Sequence, residues 1–146
     1  MTTNLERPAV EIRAADWSRD EAALAWVRRR VFIDEQQVPE ELEWDGDDFD
    51  AQHWLALIDD SPIGTVRLRA GGHIGRMSVL KEYRQWGIGT QLLSAAVTAA
   101  RAQGLHEVHL HAQLHAIDFY ARHGFVAEGE QFMDAGIPHR EMRLKL

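Results

Sequence analysis

Cysteine is missing from all 146 residues. That absence removes disulfides, thiolate metal sites, iron–sulfur clusters and thiol nucleophiles together, and it fits a reducing compartment. Lysine is scarce too: Lys81 and Lys145 are the only two, so the phosphate-binding pattern G-x-x-x-x-G-K-[ST] cannot be built. No apolar run approaches the length of a bilayer crossing. Met1 to Val10 carries Glu6, Arg7 and Pro8 where a secretory leader would have its apolar centre. A cytoplasmic protein with no membrane partner is expected. Internal repeats, low-complexity tracts and long Pro/Gly/Ser linkers are also missing, and the four prolines stand at element boundaries. One domain spanning residues 1–146 is the expectation.

What is present describes an ordinary globular chain, 45% hydrophobic and 27% charged, with 16 Lys+Arg against 23 Asp+Glu for a formal net charge of -7. A chain of this length buries roughly 68–70% of its unfolded surface and needs no metal or disulfide to hold its core. The acidic balance opposes nucleic acid as a partner, because phosphate neutralisation requires a basic face. Much of the charge lies between Asp34 and Asp50, where nine carboxylates occur, and no Lys or Arg stands between Val31 and Pro62. Such a stretch is either a solvated loop or an acidic wall that would attract a cationic amine.

Periodicity supplies the elements. Val10 to Arg13 alternates as a strand, and Asp16 or Ser18 caps a helix through Ala22, Leu24, Val27 and Val31 that must end before Pro39. His53–Ile58 and Ile63–Leu68 read as a hairpin, and His73–Leu80 as a third strand after Gly71-Gly72. Ile88, Leu92, Leu93, Ala96, Val97 and Ala100 recur at helical spacing up to Gly104. Val108, Leu110 and Ala112 then share one strand face, with His109 and His111 on the other. A short helix from His115 to His123 stops at Gly124. Strands around Phe125–Glu128 and His139–Leu144 close the chain. This order implies a mixed sheet covered on both faces.

The stretch from Ile74 to Thr90 carries the chemistry. A strand leads into a turn with Gly87 and Gly89 that opens a long helix, so several backbone N–H groups converge beside the positive end of the helix dipole. Such a spot binds anions, and Arg84 can add a fork of charged donors to a pyrophosphate. The dinucleotide fingerprint is excluded, since Leu92 stands at its third glycine. Two stretches resemble metal patterns. His109 and His111 could chelate zinc from one strand face, but sequence places only Glu107 to complete the set. A calcium loop starting at Asp45 fails because Asp50 and Ala56 stand where Gly and Glu are required. No metal is expected.

Arg84-x-x-Gly87-x-Gly89 after Arg76-Met-Ser-Val79, followed by Ala116-x-x-Phe119-Tyr120-x-x-x-Gly124-Phe125, resembles the GNAT superfamily of acetyl-CoA-dependent N-acetyltransferases. Arg30-Val-Phe-Ile-Asp-Glu35-Gln36, Glu43, Asp45 and Gly136-Ile-Pro-His139-Arg-Glu-Met142 are similar to the ElaA-like branch. The resemblance implies an α/β (mixed α+β) fold. Its central sheet is mixed and mostly antiparallel, with helices on both faces and a splayed parallel strand pair at the cofactor site. It implies transfer of an acetyl group from acetyl-CoA to a primary amine of a small molecule or peptide by direct attack.

The same resemblance assigns residues. The backbone of Met77, Ser78 and Val79 would align the pantetheine arm, while Arg84, Gln85, Trp86, Gly87, Ile88, Gly89 and Thr90 would hold the pyrophosphate. Gln113 stands where the family often has Asn and would offer its amide to the pantetheine. Tyr120 aligns with the general acid that protonates the departing thiolate. The general base would be His73, four residues before Met77, or Glu35 from the branch motif; His111 and His139 stand behind them, and would rather line the acceptor pocket or cap a strand. The competing reading is an acyl-CoA-binding sensor without catalysis. Five tryptophans and a C-terminal strand leave room for a homodimer face.

Overall fold

Alternating segments and amphipathic helices assemble into one seven-stranded sheet in the computed structural model, which describes residues 7–146. The leader question for residues 1–6 therefore lies outside the described residues. The strands are β1 (Glu11–Ala15), β2 (Gln52–Ile58), β3 (Ser61–Arg69), β4 (His73–Val79), β5 (Glu107–Gln113), β6 (Val126–Asp134) and β7 (Ile137–Lys145). Their order is β1-β2-β3-β4-β5-β7-β6. Every neighbouring pair is antiparallel except β4 and β5, which run parallel. The helices are α1 (Trp17–Arg28), α2 (Glu40–Glu43), α3 (Ile88–Ala102) and α4 (Ile117–Ala121). Among the described residues no helix is long and apolar enough to cross a membrane.

Side-chain alternation on β3 distributes the two helical layers. Gly64 abuts Leu92 of α3 on one face. Arg67 on the other reaches Asp48, which also binds Arg28 of α1. The inward stripe of α3, Ile88, Leu92, Leu93, Ala96, Val97 and Ala100, is buried against the sheet as its spacing requires. Asp16 caps α1 by accepting the Ser18 N–H at 2.8 Å, a bond of about 1 kcal/mol.

That helix does not run on regularly through Val31. From Arg29 to Glu35 it widens into a π turn, with the Gln36 N–H reaching back five residues to the Val31 carbonyl at 3.1 Å. The wider turn keeps Val31 in the core while Phe32 and Gln36 border a cavity.

Three other elements differ from the sequence expectation. The last two strands extend to Asp134 and from Ile137, because Ala135 (φ 53°) and Gly136 (φ 76°) form a tight two-residue hairpin turn. An irregularity between Glu128 and Phe132 absorbs Gly129 without ending β6. The helix expected over His115–His123 is a 3-10 turn, Leu114–Ala116, followed by the short α4.

The feature that creates the site is in β4. Thr65 pairs with Ser78 and Arg67 with Gly75, so Arg76 and Met77 together oppose Val66 alone; Arg76 takes the left-handed conformation with φ 48°. Past this bulge β4 turns away from β5. Their parallel register is confined to His73 opposite His109, and the two strands splay toward their C-terminal ends.

Candidate active site

The loop from Arg84 to Gly87 leads directly into α3. Gln85 (φ 67°) and Gly87 (φ 81°) are both left-handed, and a side chain at Gly87 would meet nothing within 4 Å, so the loop's outer surface is open. No side chain caps α3 and its first turn carries no acid. The first intrahelical bond is donated by Gln91 to the Gly87 carbonyl at 3.2 Å, which leaves the N–H groups of Ile88, Gly89 and Thr90 ahead of the ladder. Gly89 keeps the helix start close to Phe119, whose ring lies 3.4 Å from where a Cβ would sit. This is a backbone cradle suited to a phosphate anion.

Arg84 is engaged elsewhere. Its guanidinium forms a bidentate pair with Glu35 at 2.6 and 2.7 Å, and its Nε donates to the Val79 carbonyl at 3.0 Å. Sequence spacing set Arg84 toward the pyrophosphate, but a carboxylate 49 positions upstream is the anion it meets here. Hydrogen bonding from Arg84 holds the Glu35 carboxyl below the usual carboxylate range. Arg7 stacks over Trp86 and donates to the Gln85 carbonyl.

The edge of β4 facing the gap fits an added extended segment, because β5 leaves it unpaired beyond His73. The Leu80 N–H bonds Ile63 of β3, so by alternation the Met77 and Val79 backbones point into the gap. Ser78, expected to align the pantetheine with its backbone, instead turns that backbone toward β3 by the same alternation, and its buried hydroxyl bonds Thr65 Oγ1 at 2.6 Å. Gln113 uses its extra methylene to reach across the gap, donating to Gln36 Oε1 at 2.9 Å.

Where the strands part, a cavity of about 190 Å³ is bounded by Tyr120, His73, Met77 and Gln113, with Arg76 and His139 among the other walls. Six of the residues singled out from sequence, His73, Met77, His111, Gln113, Tyr120 and His139, thus border one cavity, while Ser78, Val79, Glu35 and the loop over residues 84–90 do not line it. Burial pushes the Tyr120 hydroxyl's pKa up, keeping it a proton donor throughout the neutral range. Desolvation, reinforced by Arg69 and the neighbouring imidazoles of His111 and His109, pushes His73 down to about 3. Its ring stands edge-on to both, with centroids 4.9–5.0 Å away. Among the described residues no group of three or more His, Asp or Glu is arranged to hold a metal ion.

Sequence reasoning missed the arginines that neutralise the acidic stretch. Arg28, 1% exposed, binds Glu43 at 2.8 Å and Asp48 at 2.6 Å, and its cation lies over Trp17 and Trp44. Arg67 binds Asp45 and Asp48, and Arg76 binds Asp45 and Glu43, each near 3 Å. With Arg29–Glu40, Arg69–Asp47 and Arg84–Glu35, six of the nine carboxylates are paired. The charge expected to draw a cationic acceptor is therefore mostly compensated. An arginine inside the apolar β3 run was the available signal, since a buried guanidinium requires a carboxylate partner. The network also fastens residues 42–48 to the bulged Arg76, whose Nη2 donates to the Leu42 and Glu43 carbonyls.

A parallel pair splayed at a β4 bulge, a helix start with free N–H groups and a tyrosine at the fork stand together in this fold. The family model for the acetyltransferase (GNAT) domain matches residues 13–146, and the chain belongs to this family. An uncharacterized N-acetyltransferase of Bacillus subtilis is 37% identical over 121 residues, covering 80% of this chain and 86% of the relative. An acyl-CoA N-acyltransferase of Pseudomonas aeruginosa superposes with a TM-score of 0.82 at 33% identity, over 93% of this chain and 99% of that one. Escherichia coli ElaA superposes with a TM-score of 0.83 at 29% identity, over 92% and 99%.

Proposed function

We propose that the protein transfers the acetyl group of acetyl-CoA to a primary amine of a small molecule or peptide, by direct attack and in the cytoplasm. Membership of the acetyltransferase family supports acyl transfer. The single observation that carries the finer reading is the cavity at the fork, where Tyr120 and the open edge of β4 border one space.

In this reading the N–H groups of residues 85–90 bind the pyrophosphate, and Arg84 positions their loop through Glu35 and Val79. The gap-facing backbone of Met77 and Val79 aligns the pantetheine, and a backbone N–H at the bulge stabilises negative charge growing on the thioester oxygen. Tyr120 gives its hydroxyl proton to the departing sulfur; burial raises the tyrosine's pKa but disfavours a bare thiolate in the same space as well, so the proton transfer keeps its driving force. No cysteine exists to carry an acyl group, which supports direct attack. His73 and Glu35 were the sequence candidates for the base; Glu35 is bound to Arg84, and His73 at about 3 is a weak acceptor.

Isothermal titration with acetyl-CoA and coenzyme A tests the cradle. Micromolar binding that weakens when Gly87→Val or Gly89→Val fills the loop supports the assignment, and no binding to the wild type overturns it. Binding without transfer to any amine would favour the sensor reading.

A further inference from the structure

The acceptor side of the cavity holds an imidazole whose neutral tautomer is set by a carbonyl of its own strand. We propose that His139 takes the proton from the incoming amine and acts as the general base. This inference rests on the acetyl-transfer reading above.

His139 is 8% exposed and lies opposite Gln113, where β5 ends at the fork. Its Nδ1 is 2.6 Å from the Ile137 carbonyl oxygen. A carbonyl can only accept, so Nδ1 carries hydrogen and the neutral ring keeps its lone pair on Nε2. The ring is held flat against Phe132, with an interplanar angle of 24°. Two adjoining cavities, about 190 and 90 Å³, both use His139 as wall; Tyr120 and Met77 border the larger, Leu42 and Glu43 the smaller. A proton acceptor with a fixed tautomer and a proton donor thus border one space. Charged and titratable groups that bear on His139 are Arg76 and His73 of β4, His111 of β5, His115 and Tyr120 beyond it, Asp134 of β6, Glu43 at the smaller cavity, and Arg140 and Glu141 on its own strand.

The step balances as follows. The acceptor's ammonium gives one proton to His139 Nε2, and the freed nitrogen lone pair forms the C–N bond to the thioester carbonyl. As the C–S bond breaks, the Tyr120 hydroxyl proton goes to sulfur, and the phenolate recovers a proton from the new amide nitrogen. His139 then releases its proton to water. Ammonium and thioester become amide, thiol and one proton.

The test compares wild type, Tyr120→Phe, His139→Ala and His139→Asn. Each is assayed by thiol release from acetyl-CoA with benzylamine, putrescine and glucosamine between pH 6 and 10, and coenzyme A affinity is measured by titration calorimetry. We expect both His139 variants to bind coenzyme A as the wild type does but to lose about 10²–10⁴-fold in rate at pH 7. Their rates should climb about tenfold per pH unit as solution supplies free amine. Added imidazole should rescue His139→Ala. Asparagine can still donate to the Ile137 carbonyl but cannot take the proton, so a His139→Asn variant with the wild-type rate and pH profile overturns the assignment. So does a loss in His139→Ala that asparagine restores and imidazole does not. Wild-type turnover lost in Tyr120→Phe but kept in both His139 variants sinks this inference alone. Coenzyme A binding with no amine-dependent release by the wild type sinks the transfer reading beneath it.

Discussion

Replacing Arg28 with methionine should be among the most damaging single changes outside the cavity. The side chain is 1% exposed, and its two carboxylate partners, Glu43 and Asp48, are 2% and 4% exposed. Methionine fills part of the volume but leaves both carboxylates short of a cation. Removing one partner of a buried pair costs about 3–5 kcal/mol, and the cation's contacts with Trp17 and Trp44 are lost as well. At about 2–4 °C per kcal/mol for a domain of this size, Tm should fall by roughly 6–20 °C. Desolvation already pushes the Glu43 carboxyl up despite its arginines, and without Arg28 it should rise further. A raised folded-state pKa means the native variant holds a proton the unfolded chain gives up, so the deficit should narrow as pH falls from 7 toward 5. Urea unfolding at both pH values measures this. A variant within about 1 kcal/mol of wild type at pH 7, or a deficit that widens with acid, would refute the reasoning.

Other expectations follow from single groups. Gly87→Ala places a Cβ at φ 81°, which should cost about 1–2 kcal/mol in urea unfolding, and it should weaken coenzyme A binding through the same loop. Glu35→Gln should leave the pH dependence of turnover unchanged, because Arg84 keeps the wild-type carboxylate ionised throughout the neutral range; loss of an acid limb would restore Glu35 as base. His73, titrating near 3 when folded against about 6.5 unfolded, gives the unfolded chain more protons between those values. Wild-type stability should therefore fall as pH drops from 6.5 to 4, and His73→Phe should flatten that part of the curve in thermal melts.

Much of the fold was legible because its signals are local. Alternation at Val108, Leu110 and Ala112 and helical spacing from Ile88 to Ala100 placed β5 and α3 to within a few residues. The turn that opens α3 was legible because Gly87 marks it locally. The site was not legible where side chains pair over long separations. Arg84 meets Glu35 across 49 positions, Arg67 meets Asp45 across 22, and Gln113 meets Gln36 across 77. The π turn over Arg29–Glu35 has no sequence marker of its own. His139 ranked behind His73 and Glu35 as a base because its fixed tautomer depends on a hairpin turn that brings the Ile137 carbonyl to its ring.

The central claim is that the cavity at the fork of β4 and β5 performs acetyl transfer with Tyr120 as acid. The most direct test is amine-dependent thiol release from acetyl-CoA by wild type and Tyr120→Phe, with coenzyme A affinity measured on the same preparations. The account predicts equal affinity and a rate lowered by about 10²–10⁴-fold in the variant. Equal rates in the two proteins would contradict it.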